Sequence, residues 1–247
     1  MKFDVSKYLV IGPENVPEGV DFVTVVRDAL LGGITFLQLR AKDIEDVEMF
    51  NYAKQIADLI AELELSEVVT FVLDDAVDVT FWCRSEGIKI DGVHIGQVDI
   101  PPHIVRQILG DDVIVGLSTN DERTVLAANA LADGLIDYIG IGPVNPTNTK
   151  KTTALLVDRM KPKGLDKINE LAKLSRYPVV VGGGVKAEHI MDLANSSVDG
   201  FFVVSAIAAA KNPRKATEEL VELWDAGRSH IATSKNLKDV KVVECAG

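Results

Sequence analysis

Cysteine is nearly absent from this chain. Its two cysteines, Cys83 and Cys245, lie far apart and outside any CxxC or Cys/His spacing, which points away from a disulfide framework or a zinc site. Histidine is almost as scarce. His94, His103, His189 and His230 form no ligand cluster, and no Ser/His/Asp or Cys/His grouping can be assembled around them. His94 falls within a strand pattern and reads as a packing or hydrogen-bonding residue rather than a catalytic one. No apolar run approaches the ~20 residues that span a bilayer. The N-terminal MKFDVSKYLV turns polar again within three residues of Val10, so a cytoplasmic address without membrane attachment is expected. Positive charge is in deficit, 26 basic against 37 acidic residues for a net charge of −11, which argues against nucleic acid as a partner. Any site for an anionic substrate must therefore be locally basic.

What is present is a regular alternation. Short β-rich runs recur at Tyr8–Ile11, Phe36–Leu39, Val69–Leu73, Gly92–Ile95, Ile114–Leu117, Tyr138–Ile141, Val179–Val181 and Phe201–Val204. Between them, apolar residues fall at helical spacing, as in Val23, Val26, Ala29 and Leu30, or Phe50, Ala53, Ile56, Ala57 and Ile60. Strands that are apolar on both faces and alternate with helices imply a parallel sheet. Eight such units predict a closed α/β barrel, the (β/α)8 TIM barrel, over an open doubly wound sheet. The first strand ends in Ile11-Gly12-Pro13-Glu14, without a dinucleotide fingerprint. Residues 1–224 are expected to form the barrel. Residues 225–247 are expected to be a polar C-terminal extension with one short apolar run, Val240 to Val243, forming a surface tail or a partner contact. A homo-oligomer is compatible with this reading.

In such a barrel the loops after the strands converge on one rim. Those loops carry Gln38, Arg40 and Lys42; Asp74 and Asp75; Gln97 and Asp99; Ser118; the run Gly142 to Lys150; Gly182 to Gly184; and Ser205. Arg40, Lys42 and Lys150 suit a diphosphate, although a lone cation is equally at home in a surface ion pair. Asp75 and Asp99 end neighbouring strands, where two carboxylates suit a metal; a helix N-cap is the other reading of Asp74, Asp75 or Asp99. The glycine turn before the helix from Lys186, with Val204-Ser205, suits a phosphate, although a plain tight turn has the same composition.

These residues lie in segments that resemble one family. QLRAK (from Gln38), DDAVDV (from Asp74), DGVHIGQVDIP (from Asp91), GLST (from Gly116), DYIGIGPVNPTNTK (from Asp137), GGGV (from Gly182) and VSAI (from Val204) are similar, in order, to the thiamine-phosphate synthases. The resemblance covers residues 1 to about 224 and stops before the tail. It implies a Mg²⁺-dependent transferase that joins a pyrimidine diphosphate to a thiazole phosphate and releases diphosphate. It further implies that Gln38 contacts the pyrimidine and that Arg40, Lys42 and Lys150 hold the diphosphate, with Asp74 beside it. By the same resemblance Asp75 and Asp99 bind Mg²⁺, and Ser118 sits beside the leaving group. Thr147, Thr149, Gly183, Gly184, Val204 and Ser205 would bind the thiazole phosphate. The chain departs from the family at Asp74-Asp75-Ala76, where Asn-Asp-Arg is usual, and at Asn145, where an aromatic is usual. The first strand also ends in IGPEN instead of a threonine-aspartate pair. Two rivals follow: a thiazole tautomerase on the same barrel, and a non-catalytic barrel that binds a thiamine precursor. The tautomerase relies on a histidine near the fifth strand, and Gly116-Leu117-Ser118-Thr119-Asn120 has none.

Overall fold

The computed structural model describes residues 3–146 and 161–244. Parallel strands close in chain order: β1 (Lys7–Ile11), β2 (Phe36–Leu39), β3 (Thr70–Asp74), β4 (Gly92–Ile95), β5 (Ile114–Thr119), β6 (Tyr138–Ile141), β7 (Val179–Gly182) and β8 (Gly200–Val203). Phe201 of β8 pairs with Lys7 of β1, so no sheet edge is left open. The helices described are α1 (Phe22–Leu31), α2 (Asp46–Glu62), α3 (Val77–Ser85), α4 (Pro102–Leu109), α5 (Glu122–Asn129), α6 (Gly164–Leu174), α7 (Ala187–Ala194), α8 (Ser205–Ala208) and α9 (Pro213–Glu244). This is the (β/α)8 barrel that the alternation predicts.

The pleat divides the strands between two cores. Leu9, Ile11, Leu37, Leu39, Phe71 and Leu73 face outward and pack under the helices. Tyr8, Val10, Phe36, Val72, Ile114, Tyr138 and Val180 form a second cluster inside the barrel, with Phe3 packed against it. At the N-terminal end an aspartate precedes β4, β6 and β8 and accepts a neighbouring strand's amide: Asp91 from Phe71 (2.7 Å), Asp137 from Val115 (2.7 Å) and Asp199 from Val179 (2.8 Å). That face is therefore tied down by backbone, which leaves the opposite rim for chemistry.

Helices α1 and α5 start at aspartate caps, Asp21 and Asp121. Asp21 accepts the Thr24 amide at 2.8 Å and the Thr24 hydroxyl at 2.7 Å, which fixes the first turn of α1. These two hydrogen bonds hold its carboxyl below the usual range. Asp21→Ala is expected to cost about 1 kcal/mol, read as a lower urea midpoint at neutral pH. Because the folded pKa is depressed, this contribution is present above the unfolded-state value and disappears as pH falls through the folded one. The urea midpoints of parent and variant should therefore converge in acid.

The C-terminal reading needs correction. The expected division at 224/225 falls inside α9, which continues unbroken over Pro213–Glu244. Trp224 is buried, Asp225 pairs with Lys7 at 3.1 Å, and Arg228 lies over the Trp224 ring while its guanidinium donates to the Val198 carbonyl. Gly227 lets the helix close on Ala194 and Met191 of α7. Asp225 and Arg228, two of the polar residues that suggested a loose connection, are thus contacts that hold the helix to the barrel. Among the described residues no helix is long and apolar enough to cross a membrane.

Candidate active site

A cavity of about 930 Å³ opens at the C-terminal rim. Gln38, Arg40, Asp74, Ser118, Gly183, Gly184, Val204 and Ser205 all line it, so eight residues singled out in the sequence share one space. Lys42, Asp75 and Asp99 stand at its edge, joined to it through Asp74. Thr147, Thr149 and Lys150 lie outside the described residues. A groove of about 620 Å³ between the segment after β1 and helix α2 includes none of these side chains.

One wall of the cavity is a charge cluster. The Lys42 Nζ lies 2.8 Å from Asp74 Oδ2 and 2.7 Å from Asp75 Oδ2, and the Arg40 Nε lies 3.3 Å from Asp74 Oδ2. The expected basic patch is therefore not free: in its described part, two cations meet three carboxylates, because Asp99 hydrogen bonds to Asp75. Burial raises the Asp74 carboxyl above its ordinary value, and the Asp75 charge adds to this against the pull of Lys42 and Arg40. Burial also opposes the charge on Asp75, but Lys42 and the Asp99 hydrogen bond outweigh it and hold Asp75 below the ordinary value. Asp99 is raised by burial and by Asp75, so of this pair Asp99 keeps its proton longer. Burial lowers Lys42, yet Asp74 and Asp75 carry it above normal. None of these aspartates caps a helix: α3 starts after Ala76 and α4 after Pro101, while Asp99 accepts the Gly96 amide at 2.7 Å.

The other wall is backbone. Gly183 and Gly184 have φ of 82° and 70°, which turns the chain from β7 towards α7. The segment after β6 is clipped onto this turn: the Val144 amide donates to Gly182 O (2.9 Å), the Asn145 amide to Gly183 O (3.0 Å), and the Asn145 side chain to Gly184 O (3.2 Å). The start of α7 and the Val204-Ser205 turn complete this side.

The model of one protein family, thiamine monophosphate synthase, matches residues 7–207. The chain belongs to this family. A thiamine-phosphate synthase of Corynebacterium jeikeium is 40% identical over 219 residues, covering 88% of this chain and 94% of its own. One from Desulfitobacterium hafniense is 34% identical, covering 91% and 99%. The solved structure of a thiamine phosphate pyrophosphorylase from Pyrococcus furiosus superposes with a TM-score of 0.73 at 30% identity, covering 91% of this chain and 98% of that one. Thiamine monophosphate synthases are transferases, and this chain is matched over the near-full length of these relatives.

Within that family frame, two departures acquire a structure. Asp74, in place of asparagine, sits between Arg40 and Lys42 with 10% of its side chain exposed and neutralises both in part. Asn145, in place of an aromatic, supplies the side-chain clip to Gly184. Sequence reasoning missed a buried polar chain beneath the cavity. Gln38 Nε2 donates to Tyr8 Oη (2.9 Å), Tyr8 Oη meets Tyr138 Oη (3.0 Å), Tyr138 Oη meets His94 Nδ1 (2.9 Å), and His94 Nε2 meets Ser118 Oγ (2.9 Å). Each member was visible as a polar residue in an apolar strand, but only the barrel register joins them.

Proposed function

We propose that this chain is a cytoplasmic, Mg²⁺-dependent thiamine-phosphate synthase that joins 4-amino-2-methyl-5-hydroxymethylpyrimidine diphosphate to hydroxyethylthiazole phosphate. The observation that carries this reading is the single cavity bounded on one side by the Arg40–Asp74 cluster and on the other by the glycine turn. It offers one place for a diphosphate and another for a phosphate, with volume for both heterocycles.

The carbon–oxygen bond between the pyrimidine methylene and the diphosphate breaks, and the oxygen keeps the electron pair. The thiazole ring nitrogen, which bears no proton, gives its lone pair to the methylene carbon. No protein nucleophile and no general base are needed, so the work of the chain is to position the reactants and to neutralise charge. Arg40, Lys42 and Lys150 hold the departing diphosphate, and Asp74 lies beside it. Gln38 orients the pyrimidine, and Ser118 faces the leaving group. Gly183, Gly184, Val204 and Ser205, with Thr147 and Thr149, hold the thiazole phosphate.

Among the described residues no group of three or more His, Cys, Asp or Glu side chains is placed to hold a metal by itself. Asp75 and Asp99 fit Mg²⁺ in another way: two carboxylates in mutual contact leave the remaining positions to diphosphate oxygens and water, the donor set this ion favours. When bound, Mg²⁺ would offset negative charge on the leaving diphosphate, which Arg40 and Lys42, already paired, neutralise only in part.

Incubation of the protein with both substrates tests the reading. Thiamine phosphate and diphosphate are expected to appear in equal amounts. Tight binding of thiazole phosphate with neither product would assign the chain to the precursor-binding alternative.

A further inference from the structure

We propose that His94 and Tyr138 are positioning residues that fix the direction of a buried hydrogen-bond chain, so that Ser118 presents its proton to the diphosphate. This rests on the synthase reading, within which Ser118 faces the leaving group.

The direction follows from counting protons. The Gln38 amide nitrogen can only donate, so the Tyr8 oxygen accepts and passes its own proton on to Tyr138. Tyr138 has one proton, which goes to His94 Nδ1. The ring then carries its proton on Nε2, which donates to Ser118 Oγ. With its oxygen already accepting, Ser118 turns its own hydrogen to the cavity that it lines. Both phenols are buried, and burial, the first cause in each case, raises them well above the ordinary tyrosine value, so each keeps the one proton this requires.

The barrel is built around this chain. A Cβ on Gly116 would lie 2.2 Å from Tyr138 Cζ and 2.5 Å from His94 Nδ1, and one on Gly140 would lie 3.1 Å from His94 Cε1. Glycine at 116 therefore keeps open the space in which the phenol and imidazole meet. Tyr138 is absent from the cavity lining, so its hydroxyl reaches the chemistry through its neighbours, His94 and Ser118 on the leaving-group side and Tyr8 and Gln38 on the other.

Nitrogen-15 NMR of the full chain labelled at histidine reads the tautomer, with His94 assigned by the signals lost in His94→Gln. A neutral ring protonated at Nε2 is expected, as is a mixture of tautomers in Tyr138→Phe. A ring protonated at Nδ1 in the parent protein would overturn the proposal. Kinetics supply the second arm. Tyr138→Phe is expected to lower kcat by about tenfold with KM little changed, the worth of one well-placed hydrogen bond. Added to Ser118→Ala, it should cost nothing more, because the chain acts through that hydroxyl. Multiplied losses in the double variant would mean that Tyr138 serves packing alone. The tautomer is read without turnover. Calorimetry with inorganic diphosphate and Mg²⁺ repeats the same double-variant comparison without the reaction, so an inactive chain would sink the synthase reading and leave this inference to be decided on its own measurements.

Discussion

Asp75→Asn is expected to lower the rate of diphosphate release by about 10³-fold, and removal of Mg²⁺ with EDTA to do the same to the parent protein. A metal that offsets charge on a leaving diphosphate contributes several kcal/mol to the transition state, and each ~1.4 kcal/mol is tenfold in rate. Asparagine isolates the charge. Asp75 has φ of 61°, a left-handed conformation that asparagine tolerates better than alanine does, so the backbone is not strained by the change. Lys42 loses one ion pair but keeps Asp74 at 2.8 Å, and the Asp75 amide still donates to His94 O at 2.8 Å. Thermal melting should therefore move little while turnover falls, and raising Mg²⁺ should restore only part of the rate. Unchanged turnover across a Mg²⁺ titration would remove Asp75 from the metal site.

The barrel was legible because each of its strands leaves a strong local signal. Phe36–Leu39, Gly92–Ile95 and Tyr138–Ile141 begin and end where their apolar runs do, and the other strands differ by one or two residues at their ends. The rim followed from the fold, since residues that end parallel strands of one barrel must meet. Partnerships were less legible. Nothing in the run Asp74-Asp75 says that the first is enclosed by Arg40 and Lys42 while the second reaches Asp99, because that depends on side-chain packing across three loops. The link from Tyr8 to Ser118 runs through β1, β6, β4 and β5, out of their sequence order. The continuation of helix α9 past Trp224 was missed for a different reason: it is held there by Asp225, Gly227 and Arg228, which carry no apolar period.

Gly184→Ala is expected to damage both the phosphate end and the fold. Glycine there has φ of 70°, and an added Cβ would lie 2.8 Å from Asn145 Cβ, 2.8 Å from Pro146 O and 2.9 Å from Asn145 O. The left-handed conformation alone costs an L-residue about 1–2 kcal/mol. Two of the three clashing atoms are backbone oxygens that cannot rotate away, so the segment after β6 must lift from the turn. Lifting it breaks the Asn145 amide bond to Gly183 O and the side-chain bond to Gly184 O, each worth about 1 kcal/mol. The loss of stability should come to about 3 kcal/mol, with the KM for thiazole phosphate raised by about 30-fold or more and kcat changed less. Gly87→Ala is the control: φ there is 75°, but nothing lies within 4 Å of the added Cβ, so only the conformational cost applies and the kinetics should not move. Equal urea midpoints for the two variants, with an unchanged KM in both, would show that the clip between Asn145 and the glycine turn does not shape the phosphate site.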